Sequence, residues 1–510
     1  MSVEPTLWKQ NGGVLVPATK AFDYDAIKSN GRRRRPATRT RHEIAHLGRK
    51  RQKATGTVRD QQRNFSLVAW ICRMHCQSVA RFKPMVRTKS REVNKFVKAI
   101  ITDDSRPKNF DVARRHSRDR FMMLFEMSKI IDGTGAILKR KGLKAQAVEG
   151  DRICKPSSWP SGRPGSKCPN EKRKATNDDG LIIDEKTGAI KEFCICKRDA
   201  TGQNLEFEAF KPADAFAHDG TFERFDDFRG KSPLLAALNM LVDTKENMEY
   251  VNLQIKKAAY YGLAFMSDLP EDIDDEEDED AAAARVYDPK FEMTDNPIVL
   301  NLDDGDKVIE LGQHIPNSQI KDYVGDLIIR CAMLCLDIPF SFYDGTGISY
   351  SGRIADANRY EESCEEKRES NREILVQLYN DWKVPEWWAS DYKGIRTICE
   401  KHKVSLDELV VALEWIPSGK QWIDQLNQGK AYALHLAMGL TSTPRIAASF
   451  GDDAYDIADE QGEYLAYCKD NNLPIFYAGS GQEAVQRILA EPAPNDESNA
   501  PATKPAGSTK

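Results

Sequence analysis

Residues 271–280 read EDIDDEEDED, nine carboxylates interrupted only by Ile273. A buried carboxylate needs a paired cation, and none stands nearby in sequence, so this run must stay hydrated. It cannot lie in a sheet interior and is expected to form a solvated tip between two structured elements. It divides a chain of 510 residues that is already too long for one core, so three or four domains are expected. With 40% hydrophobic and 30% charged residues, the chain can build cores and is not expected to be disordered throughout. No stretch approaches 18 apolar residues, which argues against a membrane span. Met1–Gln10 also lacks the apolar segment of a secretory signal.

The net charge of -4 conceals a second anomaly. Between residues 31 and 53 stand ten cations, Arg32, Arg33, Arg34, Arg35, Arg39, Arg41, Arg49, Lys50, Arg51 and Lys53, against the single Glu43. Like charges repel in any compact state and Pro36 interrupts a helix, so an extended or loosely ordered arm is expected. Its cations are candidates for contact with a polyanion such as nucleic acid, which binds through counterion release without regard to base sequence. A solvated face is the simpler reading. The segment 485–510, rich in Pro, Ala, Asn and Ser, reads as a disordered tail.

Eleven cysteines are too dilute for a disulfide framework. Cys72 with His75 and Cys76, Cys194 with Cys196, and Cys331 with Cys335 lack the spacing of a zinc site and read as core cysteines. Asp303, Asp304 and Asp306 fail the calcium-loop register and read as a turn. His75 and His218 read as structural histidines. Gly133 and Gly135 do not form a phosphate loop, and no G-x-S-x-G elbow is present. No metal, cofactor or catalytic residue is therefore assigned, and the chain is not expected to be an enzyme.

Hydrophobic spacing predicts helices over 61–100, 111–129, 233–259 and 319–336, and a long polar one from 353 to Trp382, ending before Pro385. Ser232 and Ser405 are N-cap candidates. Shorter helices are expected at 405–411, 422–438, from Thr443 and at 454–469. Alternation predicts strands at 145–148, 180–184, 190–196 and 205–210, with a hairpin turn at Asp184–Gly188. Two further β-like runs fall at 298–302 and 307–311, and Cys154–Asn177 reads as a long loop. The segment FSFYDGTGISYSG, 340–352, reads as a flexible loop because three glycines and several hydroxyls interrupt any periodicity.

Several segments together resemble the lambda-type family of phage portal proteins. These are HDGTFERFDDFRGKSPLLAALNM (218–240), DLIIRCAMLCLDIPFSFYDGTGISYSGR (326–353) and ALEWIPSGKQWIDQLNQGKAYALHLAMGL (412–440), with GLIIDEKTGAIKEF (180–193) and Arg63-Asn64 also fitting. The resemblance covers about 61–470 and implies an α+β, multi-domain portal-type subunit forming a ring, usually of twelve copies, around a central channel. By segment it implies a basic arm at 1–60, a wing at 61–232 and a first stem helix at 233–259. A clip at 260–316 would carry the acidic tip. A second stem helix would follow at 317–339, a tunnel loop at 340–352, a wing helix with its following segment at 353–402, a helical crown at 403–484 and the tail at 485–510.

The loop would bring Gly345, Thr346, Gly347, Ser349, Tyr350, Ser351 and Arg353 to double-stranded DNA without base readout. The resemblance further implies a structural role in DNA packaging and ejection at the portal vertex of the virion, after assembly in the host cytoplasm. Implied partners are other copies of the chain, the large terminase subunit, a head-tail connector or adaptor, and the major capsid or scaffolding protein, with no membrane. The rival readings are a DNA-binding scaffold of another kind and a metal-dependent hydrolase or nuclease.

Overall fold

The structure, a computed structural model, describes residues 8–11, 14–17, 51–154, 180–184, 186–202, 205–225, 227–260, 264–267, 306–309, 329–419 and 425–473. The acidic run, most of the basic segment, the Cys154–Asn177 loop beyond Cys154, and the tail lie outside these residues. The chain divides into two compact units. The first draws on 1–60, 72–233 and 364–510, the second on 61–71 and 234–363.

The first unit mixes helices with small antiparallel sheets. Ser117 caps the helix Arg118–Asp132 by accepting from the Arg120 amide, and Gly133 ends it at φ +82°. Only glycine adopts that backbone freely, and the chain turns directly into strand Thr134–Arg140. This strand is central, flanked by Lys144–Glu149 and Phe216–Gly220. Because side chains alternate along it, Ile137 enters one core while Ala136 and Leu138 enter another. The second core also takes Leu181, Phe193 and Ile195 from the sheet formed by Leu181–Ile183, Ile190–Arg198 and Leu205–Pro212. Cys194 and Cys196 alternate with those core residues and are buried. The hairpin turn forms as expected: Gly188 has φ +72° and its amide donates to the Asp184 carbonyl at 2.9 Å.

The larger core gathers segments far apart in sequence, including Val93, Val97, Ile101, Phe110, Phe121, Leu378, Tyr379, Trp387, Leu409 and Trp415. Two expectations are corrected here. Residues 61–100 are not helical throughout: strand Phe82–Val86 separates helices Ser66–Val79 and Arg91–Asp104, and pairs antiparallel with Leu413–Pro417. Val404, Leu409, Leu413 and Trp415, from the segment expected to open the crown, also belong to this core. The helix beginning at Asp111 instead begins at Arg118, because the Asp111 carboxylate accepts from the amides of Ala113, Arg115 and His116 and holds the intervening chain in a turn.

Helix Tyr350–Leu378 does not stop before Pro385. It continues through a π turn, Tyr379–Lys383, into Val384–Ala389. The Val384 amide donates to the Tyr379 carbonyl, five residues back. The widened turn accommodates a proline ring that would clash in regular α geometry. In the part of this helix belonging to the first unit, Glu365, Glu366, Glu369 and Glu373 are exposed, while two polar residues on the inward side are buried. Asn371 is fully buried, donating to Glu126 Oε2 at 2.9 Å, and Arg368 donates to the Ser78 carbonyl at 2.9 Å.

The arm boundary also moves. Residues 51–60, expected within the loose arm, lie in helix Arg51–Asn64.

In the second unit, a 3-10 turn at Pro233–Ala236 leads into Leu238–Tyr260. Ser232, in the first unit, does not cap that helix; its hydroxyl donates to the Ile130 carbonyl at 2.6 Å. Strands Ala264–Ser267 and Asp306–Ile309 pair antiparallel, so one of the two expected β runs is present. The other, at 298–302, lies outside the described residues. Helix Ile329–Leu334 carries the chain to the 340–353 loop. Among the described residues no helix is long and apolar enough to cross a membrane.

Candidate functional site

After Pro339 the chain makes a 3-10 turn, Phe340–Phe342, anchored by aromatic contacts. Within the second unit, the Arg330 guanidinium carbon lies 4.6 Å from the Phe340 ring centroid, a cation–π contact. Phe342 meets the buried Tyr360 edge-on at 5.4 Å, and Tyr343 tilts toward Phe340 at 5.7 Å and Trp70 at 6.3 Å. These rings fix where the loop leaves the fold.

The loop then closes on itself. Asp344 Oδ1 accepts from the Thr346 amide at 2.8 Å and its hydroxyl at 2.6 Å, and Gly347 supplies the positive φ, +76°, that completes the turn. Ser349 Oγ accepts from the Gly352 amide at 3.2 Å and lies 3.1 Å from Ser351 Oγ, so Ser349 starts the long helix. Helix geometry consequently begins at Tyr350. Tyr350, Ser351 and Arg353 therefore form the first turn of that helix, at the end of the 340–353 loop. Arg353 Nη2 reaches back to donate to the Gly345 carbonyl at 2.7 Å. A Cβ at Gly345 would come within 2.3 Å of that nitrogen, so a side chain there would push the guanidinium aside and disturb the latch.

All seven residues singled out from the sequence are thus neighbours in one closed loop-and-helix start. Thr346, Gly347, Ser349, Tyr350, Ser351 and Arg353 are exposed, and Gly345 is partly covered. Between 340 and 353 the only charges are Asp344 and Arg353, one of each sign. Such a surface offers weak hydrogen bonding and little net attraction for a polyanion. The Arg353–Gly345 latch and the contact with Trp70 carried no sequence signal, because hydrogen bonding to a carbonyl leaves no residue-type signature and Trp70 lies far away in the chain.

The basic candidates divide. Arg32, Arg33, Arg34, Arg35, Arg39, Arg41, Arg49 and Lys50 lie outside the described residues. Lys53 is exposed on helix Arg51–Asn64. Arg51 is corrected: it is buried, and its Nη1 donates to the Gly230 carbonyl at 2.7 Å, which removes it from a polyanion surface.

His218, His75 and Glu126, outside the loop, sit among structural partners. His218 Nε2 lies 2.8 Å from Thr134 Oγ1, and its ring sits 5.1 Å from that of Phe193. Burial pushes the imidazole down to about 4, against the opposing pull of Asp219. His75 Nε2 lies 3.6 Å from Glu126 Oε1. Burial would raise the Glu126 carboxyl, but the Lys129 ammonium at 2.9 Å and His75 outweigh it and hold it below the usual carboxylate range. Burial likewise pushes the Cys72 thiol up to about 12. Among the described residues no three His, Cys, Asp or Glu side chains are grouped so as to hold a metal ion.

The family described as "Phage portal protein, lambda family" matches residues 29–366. No curated protein matches the chain. Among solved structures, the chain is similar to one titled "Virion of native gene transfer agent (GTA) particle", at 12% identity and TM-score 0.44, over 78% of this chain and 93% of that one. It is similar to "Neck of empty GTA particle computed with C6 symmetry", at 13% identity and TM-score 0.46, over 78% and 93%. A third, "Neck of native GTA particle computed with C12 symmetry", is 13% identical with TM-score 0.43, over 80% and 99%. The family match covers more than half of the chain and includes the whole of the loop. The chain belongs to the lambda family of phage portal proteins.

Proposed function

We propose that copies of this chain assemble into a ring at the portal vertex of a virion, with the 340–353 loop facing double-stranded DNA in a central channel. The observation that carries the reading is the loop itself, small, nearly uncharged and closed by its own hydrogen bonds, in a chain of the portal family. A duplex must slide past such a surface. Every phosphate gripped by a cation adds electrostatic hold, so a dense basic lining would arrest movement. Hydroxyls and glycines touch the backbone weakly and read no bases. Arg353, the one cation, is already engaged by the Gly345 carbonyl. Tyr350, 56% exposed, offers a flat, uncharged contact beside it.

In this reading the ring is a conduit with no chemistry of its own. A separate terminase motor drives packaging, a head-tail connector docks after packaging ends, and the shell or scaffolding protein surrounds the ring. The assembly forms in the host cytoplasm before joining the particle.

The test pairs imaging with packaging. Purified protein examined by negative stain is expected to show annular particles with a central hole, and a compact monomer at high concentration overturns the ring. A ring carrying Ser349→Lys and Ser351→Lys is expected to assemble yet package DNA poorly. Packaging at the parent's rate by such a ring rejects the role given to the loop.

A further inference from the structure

Helix Arg91–Asp104 presents two contrasting faces. Val93, Val97, Ile100 and Ile101 are buried. Arg91, Lys95 and Lys98, spaced i, i+4, i+7, form a cationic stripe. Opposite lies helix Ala454–Asp470 of the same unit, whose Asp456, Asp459 and Glu463 recur at i, i+3, i+7. Arg91 Nε donates to Asp459 Oδ2 at 2.7 Å, and Lys95 Nζ lies 3.1 Å from Asp459 and 3.3 Å from Glu463. Lys98 pairs with Asp456 and lies 3.5 Å from Asp453, and Lys83 extends the stripe to Asp452 at 2.6 Å. Among the described residues from 425 to 473 the only buried apolar side chains are Ala447 and Cys468. Close backbone approach occurs before the helix, where a Cβ at Gly419 would strike Phe450. Charge, more than a shared core, seats helix 454–470.

We propose that Lys83, Arg91, Lys95 and Lys98 form a second polyanion site, suited to the phosphate backbone of duplex DNA, and that helix 454–470 is a phosphate mimic occupying it. Along the axis Arg91 and Lys95 stand about 6 Å apart and Lys95 and Lys98 about 4.5 Å, so long flexible side chains can meet successive phosphates of one strand. Arg91 and Lys95 remain 65% and 50% exposed while paired, so a polyanion can engage them before the helix leaves. Exposed ion pairs are individually weak, whereas a duplex adds counterion release at each phosphate it places. The site uses no residue of the 340–353 loop, so it stands or falls independently of the channel reading.

The experiment uses the full chain with Asp456→Asn, Asp459→Asn and Glu463→Gln, leaving Asp453 to cap the helix through the Tyr455 amide. Binding of a short labelled DNA duplex is followed by fluorescence anisotropy between about 50 and 200 mM salt. The variant is expected to bind roughly tenfold or more tightly than the parent, with a log–log salt slope steeper by about 2.7 for three added phosphate contacts. Adding Arg91→Gln, Lys95→Gln and Lys98→Gln is expected to restore the parent's affinity and slope, the basic segment 31–53 contributing equally throughout. Should the triple carboxamide variant fail to fold, Asp459→Asn alone is expected to give a smaller gain in the same direction. Binding no tighter than the parent's, or a gain that survives loss of the three cations, overturns the proposal.

Discussion

Two Lys–Asp contacts of the first unit use the same chemistry in opposite settings. Lys383 Nζ lies 2.5 Å from Asp104 Oδ2, with the lysine fully buried, and Tyr379 donates to the same oxygen at 2.8 Å. The ammonium also lies 4.5 Å from the Phe110 ring centroid. Lys95 meets Asp459 at 3.1 Å, but the lysine is half exposed. At the buried pair, desolvation pulls the ammonium below its usual range while Asp104 pushes it back up, so each charge depends on the other. At the exposed pair water can replace either partner, so the contact orients a helix without carrying much stability. The unit thus has a centre that tolerates no loss of a partner and a periphery that can exchange partners.

The largest effect expected from this contrast is at Lys383. Lys383→Met leaves the Asp104 carboxylate buried without its cation and should cost about 3–5 kcal/mol in urea denaturation. A cost below about 1 kcal/mol would erase the distinction between centre and periphery. Tyr379→Phe should cost about 1–3 kcal/mol in the same measurement by removing one donor to Asp104.

Acidification sharpens the comparison at a second buried group, His218. The unfolded imidazole binds its proton near 6.5, the folded one only near 4. Between those values the unfolded state holds more protons, so stability falls as pH drops from about 6.5 toward about 4. His218→Gln should flatten that part of the profile, measured as denaturation midpoint against pH. The smallest effect is expected at the periphery. Asp459→Asn should change stability by no more than about 1 kcal/mol, and that difference should vanish in about 1 M salt.

What could be read in advance follows from how local each signal is. Ser117 and Ser405 both cap helices through amides three residues on, Arg120 and Glu408, and the strands of the central sheets follow their alternation. Of these, Ser405 was recognised, as were the hairpin glycine and the chemical character of the 340–352 loop. Strand Phe82–Val86 was hidden because Pro84 lies inside it and its one partner strand, Leu413–Pro417, is far along the chain. The burial of Asn371 and Arg368 has no local signal, since their partners, Glu126 and the Ser78 carbonyl, come from other helices. Pro385 looked like a stop because a π turn has no sequence pattern of its own. For the loop, composition was legible and closure was not: its latch joins a guanidinium to a backbone carbonyl.

The pairing of Phe82–Val86 with Leu413–Pro417 has a consequence for biosynthesis. The strand nearer the N-terminus emerges from the ribosome about 330 residues before its partner, which at bacterial elongation rates is a wait on the order of 15–70 s. Throughout that interval Phe82, Val86, Val93 and Val97 lack the side chains of Leu378, Trp387 and Trp415 that later share their core. The nascent chain therefore carries an unfinished apolar surface for most of its synthesis, and yield should respond to chaperone supply and translation speed.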